Sequence, residues 1–375
     1  MLHDIYTPRY TGEWVIFILL ILSLLFVLFT YLKFYLPAIR YQDTFTEKNI
    51  PISIIICARN EEENLNENLP FILHQDYPNY EIIVVNDCST DNTEIVIDKY
   101  LKEYPHKLRK VNVPRSDHYE HGKKMAVFIG IKHAKNEHLV FTDADCKPAS
   151  DQWLKKMASH FDAHKNIVLG YGQYKPINTF LNKLVRYDTL TIGLQYLSCA
   201  IQGNPYMGVG RNLAYTKSLF FQNKGFATHY HIPSGDDDLF VNETATSTNT
   251  AVCLHPDAFT ISEPPLIFKH WLLQKARHFS TFSLYKPVHQ LMLAWIYFSF
   301  LFYYFTIFGA LLIPSPLWVY ILLSILIKYS VQTSILHAAS KKFKEKNIYL
   351  FAFFLEPVLI IFYFYVALYK KIKHL

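Results

Sequence analysis

The chain reads as an α/β protein, a mostly parallel sheet set between apolar helices of membrane-crossing length. Three observations predict this. Between about Pro51 and Phe282, short β-branched or apolar runs alternate with segments of helical period, the pattern of βαβ units. Outside that region, the hydrophobic residues (51% of a 375-residue chain) concentrate in Trp14–Leu32, Leu291–Ile313, Leu317–Leu336 and Ile348–Tyr369. Each stretch is close to the ~20 residues that a helix needs to cross a hydrocarbon core. Finally, the run from His138 to Thr142 ends in Asp143-Ala144-Asp145, which sets two carboxylates at the carboxyl end of a strand.

The elements follow in order. Trp14–Leu32 carries no charge from Val15 to Leu32, is longer than a signal-peptide core and lacks a small-residue cleavage site after it, so it reads as a retained anchor. Ile52–Cys57 is a buried strand and Glu61–His74 a helix with apolar teeth. Glu81–Val85 is a second strand ending at Asn86-Asp87. Thr90–Tyr104 is a helix for which Thr90 or Asp91 is a cap. Leu108–Val113 is a strand, Gly122–Ala134 a helix, and Leu139–Thr142 the fourth strand. In such sheets ligands sit beyond the carboxyl ends of the strands, and Arg59, Asp87 and Asp143/Asp145 all fall there. Phe180–Ile201 is a long mixed helix, Gly203–Gly210 a glycine-rich loop, and Gly235-Asp236-Asp237-Asp238 opens a further helix. Pro264-Pro265 starts Leu266–Tyr285, a basic, aromatic, amphipathic segment suited to the headgroup region.

Composition excludes several classes. The net charge is +6, but the basic residues flank apolar segments (Lys33, Arg40; Lys341, Lys342, Lys344; Lys370, Lys371, Lys373), which is a membrane pattern and not a nucleic-acid stripe. Five cysteines without a C-x-x-C pair suggest neither a disulfide framework nor a zinc site, and fit reduced thiols on the cytoplasmic side.

Four constellations carry chemistry. Asp143 and Asp145 can grip Mg²⁺ or Mn²⁺, which in turn grips a diphosphate; alone, such a pair is more often a solvated loop. Asp87, with Arg59 and Glu61 at the first strand end, can line a nucleotide pocket, and Lys123 or Lys124 can offset phosphate charge. In Asp236-Asp237-Asp238 the repulsion between neighbouring acids raises a pKa, as a general base needs, although a helix N-terminus also favours acids. Gln274 and Arg277 share a helical face, where Arg277 can hold a diphosphate bidentately or meet lipid headgroups.

Taken in order, Ala58-Arg59-Asn60-Glu61, Val85-Asn86-Asp87 with Ser89-Thr90-Asp91, Gly122-Lys123, Asp143-Ala144-Asp145, Gly235-Asp236-Asp237-Asp238 and Gln274-x-x-Arg277 resemble membrane-anchored family 2 glycosyltransferases with the glycosyltransferase A fold. The resemblance covers roughly Pro51 to Tyr285. It implies a nucleotide-sugar donor contacted by Arg59, Glu61, Asp87, Lys123, Asp143, Gln274 and Arg277, and a metal on Asp145 with Asp143. It also implies a base from the acid cluster, Asp237 being favoured over Asp236 and Asp238, and an inverting single displacement onto a lipid-linked or saccharide acceptor. Three departures stand out. The acid motif has a third Asp238, His278 replaces the Trp that ends the family's Gln-x-x-Arg-Trp, and Asn86 stands in the usual Asp-Asp pair. The His278 exchange weakens a second reading, a processive polysaccharide synthase; the intact acids weaken a third, a catalytically silent scaffold.

The expected divisions are a transmembrane anchor at 1–40, a cytoplasmic catalytic domain at 50–262, an amphipathic interface helix at 263–288 and a transmembrane region at 289–375, in the plasma (inner) membrane. Pro314-Ser315-Pro316 would turn a hairpin between the second and third apolar stretches. Glu356-Pro357 interrupts the fourth. Two arrangements fit it: a re-entrant segment or one packed on the catalytic domain, or a spanning helix whose Glu356 pairs with a neighbour such as Lys328.

Overall fold

The computed structural model describes residues 11–113, 122–312 and 317–373; the Pro314–Pro316 turn lies outside them. The strands are β1 (Ile52–Ala58), β2 (Tyr80–Asn86), β3 (Leu108–Asn112), β4 (His138–Asp143), β5 (Cys146–Pro148), β6 (Ile167–Leu169), β7 (Gly172–Tyr174), β8 (Leu213–Thr216), β9 (Thr250–Val252) and β10 (Thr260–Ser262). They form a seven-stranded sheet in the order β3-β2-β1-β4-β8-β6-β9 and a three-stranded sheet in the order β5-β10-β7. The β3-β2-β1-β4 half is parallel, as expected, and it sets the site's register: Ala58 pairs with Asn86, and Cys57 with Asp143. The seven-stranded sheet is mostly parallel, as expected: β8 alone runs antiparallel, between β4 and β6, and β9 pairs parallel with β6.

Alternation along β1 divides the core, since successive side chains leave a strand on opposite faces. Ile54 and Ile56 join a cluster on one face and Ile55 joins a larger one on the other. The first face is covered by α3 (Glu62–Leu73), α4 (Thr93–Glu103) and α6 (Trp153–Ala158). The second is covered by α5 (Lys123–His133) and the long α7 (Phe180–Ile201). The N-cap of α4 is Asn92 and not the expected Thr90 or Asp91; the Asp91 carboxylate, one residue earlier, accepts the Thr93 amide at 3.0 Å. The acid motif opens α9 (Asp238–Thr244), which follows the short α8 (Lys217–Gln222).

Among the described residues four helices are long and apolar enough to cross a membrane. These are residues 11–40, comprising α1 (Thr11–Phe34) and α2 (Leu36–Arg40), then α11 (Pro287–Leu311), α12 (Trp318–Lys342) and residues 348–373, which contain α13 (Ala352–Lys373). Pro357 lies inside a continuous α13. Glu356 pairs with Lys328 of α12. It also accepts hydrogen bonds from Tyr31 of α1, Tyr304 of α11 at 2.8 Å and Gln332 of α12 at 2.7 Å. One buried carboxylate thus ties all four apolar helices together. On its other side α13 packs against the α/β region, with Phe362 stacked on Trp271 at 3.9 Å and Tyr363 donating to Asp188 of α7. Trp271 is buried against α13 and also lines the cavity described below.

The amphipathic segment is shorter than read from the sequence. Its helix, α10, spans Phe268–His278. The hydroxyls of Ser280 and Thr281 bond back to the carbonyls of Arg277 and His278, at 2.7 and 2.8 Å, and end it.

Candidate active site

The register of β1, β2 and β4 brings the three strand ends to one edge. Arg59, which is exposed, approaches the buried Asp87 carboxylate at 4.0 Å. Asp143 takes a hydrogen bond from the Lys123 ammonium at 2.7 Å, and the same ammonium reaches Asp236 at 3.4 Å. Lys123, at the start of α5, therefore bridges the strand-end acid to the acid cluster. Lys124 turns away and donates to the carbonyls of His229 and Ile232. Burial would raise the Asp143 carboxyl, but Lys123, and beyond it Arg211 and Arg277, hold it below the usual range. Asp145 is raised, by burial first and then by the charge of Asp143. Glu61 is raised too, mainly by burial, with Asp145 and Asp143 adding repulsion.

Carboxylate oxygens of Asp143 and Asp145 lie within 4.8 Å of each other and of Cys146 Sγ. Two hard oxygen donors held against their mutual repulsion suit a divalent cation of the Mg²⁺ or Mn²⁺ type, which would relieve that repulsion. Cys146 does not suit it, since its buried sulfur is engaged with Ser262 Oγ at 2.8 Å. A second grouping, Asp43, His160 and Cys253, lies away from this edge; there His160 Nε2 meets Asp43 at 2.6 Å and fastens the 41–51 connector to the domain.

The three adjacent acids have three different environments. Asp236 faces Lys123. Asp238 is buried and fully engaged: one oxygen accepts from Thr281 at 2.6 Å and Tyr285 at 2.8 Å, the other from the Leu239 amide at 2.8 Å. Asp237 caps α9, accepting the Asp238 amide at 2.7 Å and the Gly210 amide at 2.6 Å. Burial, with the charges of Asp236 and Asp238 beside it, pushes its carboxyl up to about 7. Gly235 begins this turn at φ +100°, and a Cβ there would lie 2.4 Å from Leu239, so the turn requires glycine.

A cavity of about 460 Å³ opens beside these groups, and Lys123, Asp143, Asp236, Asp237, Asp238, Gln274 and Arg277 all line it. Arg59, Glu61, Asp87 and Asp145 do not; they continue along the strand edge beyond Asp143. Gln274 donates to Tyr174 OH at 3.3 Å. Lys275, between Gln274 and Arg277, is buried in an ion pair with Asp188 of α7, which fixes the face that α10 presents.

One residue escaped the sequence reading. Arg211 lines the cavity, donates to the Gly172 carbonyl at 2.8 Å and lies over the Tyr174 ring at 4.5 Å. Its signal was the glycine-rich loop before it. Asn212 anchors that loop, bonding the Tyr171 and Ala258 carbonyls at 2.9 and 2.8 Å and accepting from Trp153 at 3.0 Å.

Residues 53–222 match the family model described as Glycosyl transferase family 2. A probable glycosyltransferase of Bacillus subtilis (strain 168), YdaM, is 25% identical over 292 residues, covering 68% of this chain and 63% of that protein. An uncharacterized glycosyltransferase of Haemophilus influenzae is 29% identical over 161 residues, covering 43% of this chain and 46% of that protein. The chain thus spans less than two thirds of the length of either relative. A mannosyltransferase from Pyrobaculum calidifontis, solved in complex with GDP-Man and Mn²⁺, superposes with a TM-score of 0.59 at 18% identity over 88% of this chain and 99% of that one, a likeness of fold. The strand-edge acids therefore stand in a glycosyltransferase A-like sheet, and residues 53–222 are a family 2 glycosyltransferase domain.

Proposed function

We propose that the chain is an inverting glycosyltransferase that moves a sugar from a nucleotide-diphosphate donor to an acceptor hydroxyl at the cytoplasmic face of the plasma (inner) membrane. One observation carries this reading: a single cavity beside the strand-edge carboxylates gathers the cations Lys123, Arg211 and Arg277 and a carboxyl whose pKa is raised to about 7. Arg59, Glu61 and Asp87 suit the nucleoside. Lys123, Gln274 and Arg277 suit the diphosphate. Asp145 with Asp143 would hold a divalent cation, Mg²⁺ or Mn²⁺, whose chemistry when bound is to neutralise the leaving diphosphate.

Asp237 is the base. Asp236 is committed to Lys123, and Asp238, although also raised, to Thr281 and Tyr285, which favours Asp237, a cavity-lining acid with its carboxyl raised to about 7. Its carboxylate takes the acceptor's hydroxyl proton as that oxygen attacks the anomeric carbon. The bond from that carbon to the diphosphate oxygen breaks, its electron pair leaves with the nucleoside diphosphate, and the anomeric configuration inverts.

The test is hydrolysis of a panel of sugar nucleotides by the detergent-purified chain, with Mn²⁺ or EDTA, beside Asp145→Ala. Slow release of one nucleoside diphosphate, stopped by EDTA and lost in Asp145→Ala, is the expected result. If no donor is hydrolysed and the variant behaves like the parent, the reading fails.

A further inference from the structure

The cavity has two chemically different ends. The cations gather at the Asp143 end, where Lys123 is bonded to Asp143, and Arg211 and Gln274 both meet Tyr174. The opposite wall is apolar. It includes Ile192 of α7, Met207, and Leu293, Ala294 and Tyr297 on one face of α11, with the uncharged Thr189 and Gln195 beside Ile192. Lys275, which also lines the cavity, is closed on the buried Asp188 of α7 as an ion pair. With Lys275 neutralised by Asp188, the acids Asp236, Asp237 and Asp238 in the same lining would repel an anionic headgroup.

The wall also faces a membrane-grade helix. Leu293, Ala294 and Tyr297 lie in the first turns of α11, one of the four helices long and apolar enough to cross a bilayer. Where α10 gives way to α11, the chain exposes a run of large apolar side chains: Phe282, Leu284, Val288 and Leu291, the last 72% exposed. An exposed apolar patch beside the apolar part of the cavity marks a route for an apolar chain, and the volume is within the roughly 300–1,000 Å³ of small-molecule sites.

We infer that the acceptor is an uncharged lipid bearing a free hydroxyl, which enters from the bilayer along α11 with its chain against Ile192, Leu293 and Ala294 and its hydroxyl toward Asp237. This rests on the transferase reading above and narrows its acceptor to one chemical class.

The test uses the full chain in phosphatidylcholine vesicles with the donor that the panel selects. Dodecanol, dodecyl phosphate and methyl glucoside are offered separately, and both nucleoside-diphosphate release and passage of labelled sugar into the organic phase are followed. Dodecanol is expected to accelerate release roughly tenfold or more over either of the others, with label in the organic phase. Ala294→Trp, which narrows the mouth, is expected to raise the half-saturating dodecanol concentration about tenfold while its melting temperature stays that of the parent. A preference for dodecyl phosphate, a preference for methyl glucoside, no preference at all, or an unshifted dodecanol response in Ala294→Trp would each overturn the inference while leaving the transferase standing. Absence of donor hydrolysis removes the transferase reading and this inference with it.

Discussion

Asp237 owes its character to position. It follows, two residues on, a left-handed turn that only glycine accommodates, and it sits between two acids that are each committed elsewhere. A carboxyl pushed up to about 7 is protonated in weakly acidic solution and is then no base. Turnover is therefore expected to fall as pH drops through about 7, read as the acid limb of a kcat/KM profile. The same shift has a stability sign. The fold holds this proton more tightly than the unfolded chain, where an aspartate titrates near ~3.9. Its stabilising contribution is present at low pH and is lost as pH rises toward about 7. Asp237→Asn, neutral at every pH, should melt at a higher temperature than the parent at pH 8 and lose this margin at pH 4.

At the scale of elements, α10 presents Gln274 and Arg277 because the residue between them is pinned from behind. Lys275 is held by Asp188, and Asp188 in turn by Tyr363 of α13. Lys275→Met removes the pin and leaves a buried carboxylate short of its cation. Small displacements of positioning groups are costly, and donor turnover should fall by about 10²-fold; the Lys275→Met/Asp188→Leu pair should regain stability, as differential scanning fluorimetry would read, but not full turnover. This scale also shows what the sequence could and could not convey. The β-branched runs of β1 and β2 and the Asp-x-Asp end of β4 are long enough to show their period, so the parallel half of the sheet and its polar edge were legible. Strands β5, β6, β7, β9 and β10 have three residues each, too few for a period, so the second sheet and the antiparallel β8 were not. Arg211 was hidden for another reason: its partners, Gly172 and Tyr174, lie almost forty residues away in the chain.

Over the whole molecule, the catalytic region and the apolar helices are joined by buried charges. Arg186 of α7 donates to Glu345, beyond α12, at 2.6 and 2.9 Å, and Glu356 gathers α1, α11 and α12 onto α13. The sequence singled out Glu356 and offered Lys328 as its partner in one of two arrangements. That the same carboxylate also takes Tyr31, Tyr304 and Gln332 depended on how four helices pack, which no local pattern encodes. Breaking one side of a buried pair strands the other charge. Lys328→Met should cost about 3–5 kcal/mol, seen as a lowered melting temperature in detergent, whereas Lys328→Met with Glu356→Leu should recover most of it.

The most direct measurement of the central claim is sugar transfer by Asp237→Asn, with donor affinity measured in parallel. A base that removes the acceptor proton contributes about 10²–10⁴-fold and does not hold the donor. The account predicts transfer lowered by at least about 10²-fold with nucleotide-sugar affinity nearly unchanged. Transfer at the parental rate, or a loss explained wholly by weakened donor binding, would contradict it.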